Sequence, residues 1–190
     1  VKKQLKTDNI YEILSKDNLE NIHVKPYYQN NLETKILPKV EESTHLVAEY
    51  QVGLEEQAFA FLLNENVEGL EEKAILINNP DLAEHILTEE SNRYFSLIDV
   101  FSDDKTAEIN EHLAGELLSK SFERQIGIDV SLHQNAGASI IQQLAFALAK
   151  CKELVEKFGA EILEKLVFRF AIGSNYFFEI AKIRAFKYLF

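Results

Sequence analysis

The sequence has no methionine, no tryptophan, three prolines, seven glycines and one cysteine among 190 residues. Cys151 cannot form an internal disulfide, and a four-thiolate zinc site is out of reach. The expected setting is therefore reducing and cytoplasmic. No run of about 18 apolar residues is present to cross a bilayer. The opening VKKQLKTDNIYEIL is charged from the start and lacks the apolar core of a signal peptide. Positive charge is also scarce, since 20 Lys and Arg against 31 Asp and Glu leave a net charge of −11. A surface of that sign repels phosphate backbones and anionic lipid, so neither nucleic acid nor membrane is an expected partner. What remains is 46% hydrophobic and 27% charged, enough to bury a core and too balanced for a disordered chain.

Along the chain, residues 1–20 read as a short helix and a turn, 23–28 (HVKPYY) as extended because of Pro26, and 29–44 as polar connector. These form an expected N-terminal arm, 1–44. From residue 45 short β-rich runs alternate with helical patterns, the signature of βα units on a parallel sheet. The strands are expected at 45–52, 73–78, 94–101, 125–131 and 167–172. The helices are expected at 54–66, 80–88, 105–121, 136–157 and 174–189, with a short helical piece at 160–165.

Buried parallel strands usually read as unbroken apolar runs. Here Glu49, Asp99, Asp129 and Arg169 interrupt them. Under the helices of an open, doubly wound sheet such charges would be costly. A closed or partly closed barrel offers them a lumen, so the fold class expected is α/β, a partial (β/α) barrel over 45–190. Arg169 should point inward and pair with Asp129 or a neighbouring carboxylate, in a structural network with Asp99 and Glu49.

The candidates for chemistry lie at strand ends. His133 follows Ser131 directly after a strand and precedes Asn135, where parallel α/β folds place their sites. Gly137, between Ala136 and Ala138, permits close backbone approach to a ligand. Ser174 or Asn175 is most simply the cap of the last helix. Glu108, His112 and Glu116 share a helical face, which a solvated surface explains, and no HExxH pairing occurs. Cys151 lies in an apolar helical stripe and reads as core. No phosphate-binding glycine loop, nucleophile elbow or paired-carboxylate motif is present.

Two segments carry more. HQNAGASIIQQLAFALA at 133–149 and FAIGSNYFFEIAKIRAFKYL at 170–189 resemble consecutive strand-to-helix junctions in the substrate-binding barrel of methylmalonyl-CoA mutase, and ENIHVKPYY at 20–28 looks like that family's EGI-VKP-Y segment. The resemblance implies a (β/α)8 barrel and an adenosylcobalamin-dependent isomerisation of methylmalonyl-CoA to succinyl-CoA, in propionate metabolism. This sequence has no cobalamin-ligating DxHxxG, and AEYQVG at 48–53 stands where the family has Arg-Gln-Tyr-Ala-Gly. The family's catalytic histidine falls on Leu132, with His133 displaced by one. Such losses resemble the non-catalytic small subunit of the heterodimeric mutases. The resemblance thus implies a structural chain, shortened, that binds no cofactor itself and pairs with a large catalytic subunit holding adenosylcobalamin, or self-associates. The alternative is a stand-alone CoA-ester binder or isomerase using Ser131, His133, Asn135 and Asn175.

Overall fold

The computed structural model describes residues 2–6, 8–18, 20–28, 44–65, 70, 72–86, 93–101 and 107–190. Two short helices, α1 (Lys2–Leu5) and α2 (Ile10–Leu14), open the chain, and β1 (Lys16–Asp17) pairs antiparallel with β2 (His23–Val24). The connector expected at 29–44 lies, apart from Thr44, outside the described residues. The Glu20 side chain accepts a hydrogen bond of 3.3 Å from the Ile141 amide, which ties this arm to the C-terminal half of the molecule.

The body is a parallel sheet. Strands β3 (Val47–Glu49), β4 (Ala60–Leu63), β5 (Ala74–Ile77) and β6 (Tyr94–Ser96) pair side by side in that order, with α3 (Pro80–His85) between β5 and β6. Next come α4 (Glu111–Ser119), β7 (Ile126–Asp129), α5 (Ser131–Asn135), α6 (Ile140–Phe158), a 3-10 turn (Ala160–Lys165), β8 (Leu166–Arg169) and α7 (Tyr176–Leu189). β7 and β8 pair in parallel. Parallel bridges at Phe95–Arg124 and Asp99–Gly127 join this pair to β6. The Ser96 amide donates to Arg124 (2.8 Å) and the Gly127 amide to Ile98 (2.9 Å). Six strands therefore lie in chain order with no reversal among them.

That seam explains one glycine. A Cβ at Gly127 would overlap the backbone carbonyl of Leu97, so any other residue forces the strands apart. Phe61, Ile75, Ile77, Ile126, Ile128 and Val130 are fully buried between the sheet and its helices. They share one cluster with Leu117 of α4 and with Ala147, Cys151 and Leu154 of α6. Those α6 residues recur at helical spacing, and burial pushes the Cys151 thiol pKa up.

Several boundaries differ from expectation. The helix expected at 54–66 is not formed. Its centre is β4, hydrogen-bonded on both sides, because the six-residue apolar run at 58–63 fits a buried strand as well as a helix turn. The helix expected at 136–157 starts at Ile140, since Gly137 adopts φ +95°, and Ser139 with Gln142 forms a reciprocal capping box there. Residues 131–135, read as strand end and loop, form α5. The helix expected at 105–121 is α4, held at its start by Asn110, whose side chain accepts from the Leu113 amide at 3.1 Å. The α/β class and parallel pairing agree with expectation.

Candidate functional site

The C-terminal ends of β6, β7 and β8 bring together most of the charged residues that interrupt the strands. Asp99 lies just beyond β6. Its Oδ2 is 2.6 Å from Lys150 Nζ on α6, and both side chains are nearly buried, 19% and 18% exposed. The same oxygen accepts from the Asp129 amide (3.0 Å), while Oδ1 accepts from the Phe101 amide (3.0 Å). Asp129 closes β7. Its Oδ1 accepts from both the amide and the hydroxyl of Ser131, at 2.8 and 2.6 Å, and its Oδ2 is 3.5 Å from Arg169 Nη1 at the end of β8. Asp129 is 14% exposed and Arg169 42%.

Each carboxylate thus has a cation and two or more hydrogen-bond donors, which is the condition under which a buried charge is tolerated. Lys150 also lies 5.3 Å from the Phe101 ring centre. Glu49 is not part of this network. It is exposed on β3, which lies at the opposite end of the strand order from β8, so the sheet separates it from Arg169.

His133 is on α5, half-buried, with its ring 4.5 Å from that of Phe146. It lines a cleft of about 700 Å3 with Phe101, Phe146, Lys150, Glu153 and Lys157. The Ser131 hydroxyl donates to Asp129 and not to His133, so no serine–histidine nucleophile is assembled. Lys157 pairs with Glu111 and Lys150 with Asp99, so both cations of this cleft are already neutralised. Asn135 is exposed at the end of α5. Asn175 caps α7, accepting from the Phe178 amide at 3.4 Å. His112 and Glu116 form an exposed pair at 3.5 Å, and no group of three metal-ligating side chains occurs among the described residues.

Sequence reasoning missed a second polar cluster. Lys182 of α7 is 1% exposed; it pairs with Glu179 and donates to the Ala171 carbonyl at 2.6 Å. Gly173 leaves room here: a Cβ would come within 3.0 Å of Glu179 Oε1 and 3.3 Å of Gln134 Nε2. Lys182 therefore ties α7 to the loop that follows β8, and that loop passes beside Gln134 of α5. The available signal was the spacing of Glu179 and Lys182, three apart and on one face of an apolar helix. Lys150 was missed because it flanks the buried α6 stripe instead of interrupting it.

Comparison with known proteins places this region. Residues 116–190 match the family model described as Methylmalonyl-CoA mutase, which bears out the resemblance over β7, β8 and their helices. The match does not extend to 20–28. The chain is 42% identical over 72 residues to "Methylmalonyl-CoA mutase small subunit" of Porphyromonas gingivalis, covering 35% of this chain and 12% of that protein. It is 45% identical over 62 residues to a methylmalonyl-CoA mutase of Rhizobium meliloti, covering 30% and 9%. It is 38% identical over 82 residues to one of Cereibacter sphaeroides, covering 39% and 12%. The matched part thus spans about a tenth of the length of these relatives.

Proposed function

From the methylmalonyl-CoA mutase likeness of residues 116–190, we propose that the chain is a non-catalytic structural subunit, or part of one, that supports a catalytic mutase subunit. The observation that carries this reading is the closed charge network at the strand ends. Where a barrel enzyme presents its substrate-binding groups, Asp99, Asp129, Lys150 and Arg169 satisfy one another, so that neither Lys150 nor Arg169 is free for a carboxylate or a phosphate. Six parallel strands in chain order support a partial (β/α) barrel over 45–190, with 1–44 as an arm. The small-subunit name of one relative points the same way.

Adenosylcobalamin is assigned to the partner. A ligating histidine is normally oriented by a carboxylate on its other nitrogen. His133 instead packs on Phe146, and the sequence has no DxHxxG. These residues do not fit the cofactor. The reading takes the chain to be cytoplasmic, and no described helix is long and apolar enough to cross a membrane.

One observation favours the alternative of a CoA-ester binder: the cleft beside His133 has aromatic and cationic walls. Its lysines are paired with Asp99 and Glu111, which leaves the structural reading ahead. The test is light scattering after size-exclusion chromatography, on the chain alone and mixed with a catalytic mutase large subunit. A stable one-to-one complex whose activity depends on the large subunit's own site is the expected result. Isomerase activity of the isolated chain would overturn the proposal.

A further inference from the structure

The hairpin formed by β1 and β2 ends in a tight, internally fastened tip. Asp17 and His23 face each other across the two strands, with His23 Nδ1 3.0 Å from Asp17 Oδ1. The Asn18 side chain accepts from the amides of Glu20 (3.0 Å) and Ile22 (2.9 Å), and its backbone carbonyl accepts from the Asn21 amide (3.0 Å). Asn21 turns the chain at φ +56°, a conformation that asparagine tolerates better than most residues. Glu20 thus stands on a tip whose shape is set by hydrogen bonds within the hairpin.

The receiving surface is the first turn of α6. The opening amides of a helix lack intrahelical acceptors. Here the capping box serves two amides, with Ser139 Oγ accepting from Gln142 (3.3 Å) and Gln142 Oε1 accepting from Ser139 (2.8 Å). The Ile141 amide, in the same turn, donates instead to Glu20 Oε1 at 3.3 Å, from a residue 121 positions away. A carboxylate there also faces the positive end of a 19-residue helix dipole. Just upstream, Gly137 holds φ +95° with open space where a Cβ would stand, and Ala136 and Gly137 are exposed.

We infer that the β1–β2 hairpin is a strap, latched by Glu20 onto the start of α6 and able to release without unfolding the sheet. The contact combines a hydrogen bond with a charge–dipole attraction, yet it is exposed and 3.3 Å long, so it favours docking without fixing it. Apolar burial adds little, since α2 buries no residue and Ile13, Leu14 and Ile22 stay exposed. The capping box keeps α6 started when the strap is away, because its two amides are satisfied inside the helix's own first turn. β1 and β2 form a sheet of their own, and the core cluster includes no residue of the arm. Local opening of such an element costs far less than global unfolding. The latch bears on the junction between α5 and α6, next to the cleft residues His133 and Phe146. This inference does not depend on a mutase partner.

The experiment measures the distance between spin labels on the full chain carrying Ile22→Cys and Ala145→Cys, both at exposed positions. The native Cys151 is buried with a raised thiol pKa, which slows its labelling. With Glu20 intact, one dominant short distance is expected, from the docked hairpin. Adding Glu20→Ala should shift population to a longer and broader distance, changing the docked-to-released ratio roughly two- to fivefold. High salt should move the Glu20 form in the same direction. Ser139→Ala, which removes the helix's own cap, should leave the docked distance in place. Amide exchange gives a second readout: Glu20→Ala should accelerate Ile141 by a similar factor while the amides of β4, β5 and β7 keep the wild-type rate. The inference would be overturned by an unchanged distance distribution in Glu20→Ala or by a broad one already present with Glu20 intact. Release by Ser139→Ala as full as that by Glu20→Ala, or faster exchange spread over the sheet, would overturn it too.

Discussion

The two halves of the sheet are built alike and furnished differently. Strands β4 and β5 read AFLL and AILI, apolar to their ends, and Phe61, Ile75 and Ile77 are fully buried. At the ends of β6, β7 and β8 the chain places Asp99, Asp129 and Arg169, with Lys150 arriving from α6. The first half rests on apolar burial, with Lys73 and Arg93 donating to backbone carbonyls at its margin. The second adds ionic networks, one at the strand ends and one under the β8–α7 loop, and it is also the half that matches a known family. The difference teaches where this fold can tolerate change: β4 and β5 constrain volume, whereas β7 and β8 constrain charge.

Breaking a charge pair in the second half should have the largest effect. Lys182→Ala leaves Glu179 buried without its cation, and we expect a loss of about 3–5 kcal/mol in urea unfolding. The double replacement Lys182→Met with Glu179→Leu should recover most of it, since removing both charges removes the unpaired one. Gly127→Ala tests the seam between the halves. With the Leu97 backbone in the way of a Cβ, it should cost about 3 kcal/mol and lower the unfolding cooperativity, as read by paired circular dichroism and fluorescence.

The strand-end pair should matter less, because Asp99 keeps two amide donors when its lysine is gone. Lys150→Met should cost about 1.5 kcal/mol, and a double-mutant cycle with Asp99→Asn should give a coupling of about 1 kcal/mol. A cycle with no coupling would show that the contact is incidental.

The smallest effect belongs to the first half. Glu55 accepts hydrogen bonds from the Gly53 amide and the Tyr50 hydroxyl, and the backbone donors, the largest cause, hold its carboxyl below the usual range. A carboxyl lowered in the folded state contributes stability above its unfolded pKa and loses it as pH falls through the folded value. Tyr50 is pushed above 10.0, first by desolvation and then by Glu55. Glu55→Gln should therefore flatten the acid limb of the stability profile and bring the Tyr50 titration only part of the way back, as followed by NMR of the ring.

Much of this was legible in the sequence, for identifiable reasons. Parallel strands with helices between them announce themselves by alternating pattern, and Asp129 and Arg169, midway along expected neighbouring strands, indicated the side chains now found 3.5 Å apart. β4 was hidden because a short apolar run has no usable period. The start of α6 was obscured because Ala136 and Ala138 favour helix while Gly137 breaks it with a positive φ. Glu49 was grouped with Arg169 because both interrupt expected strands and a closed or partly closed barrel would give them one lumen, whereas β3 and β8 lie at opposite ends of the strand order. Lys182 was hidden because a charged residue on an apolar helix is ordinarily read as solvent-facing.

The central claim is that the strand-end charges of β6 to β8 are structural and bind no substrate. The most direct measurement is isothermal titration of the chain with methylmalonyl-CoA and with succinyl-CoA. The account predicts no heat of binding at any concentration up to about 1 mM, a dissociation constant at which the binding free energy is about −4 kcal/mol or weaker. Micromolar binding of either ester, abolished by Lys150→Met, would contradict it and make the cleft beside His133 a working site.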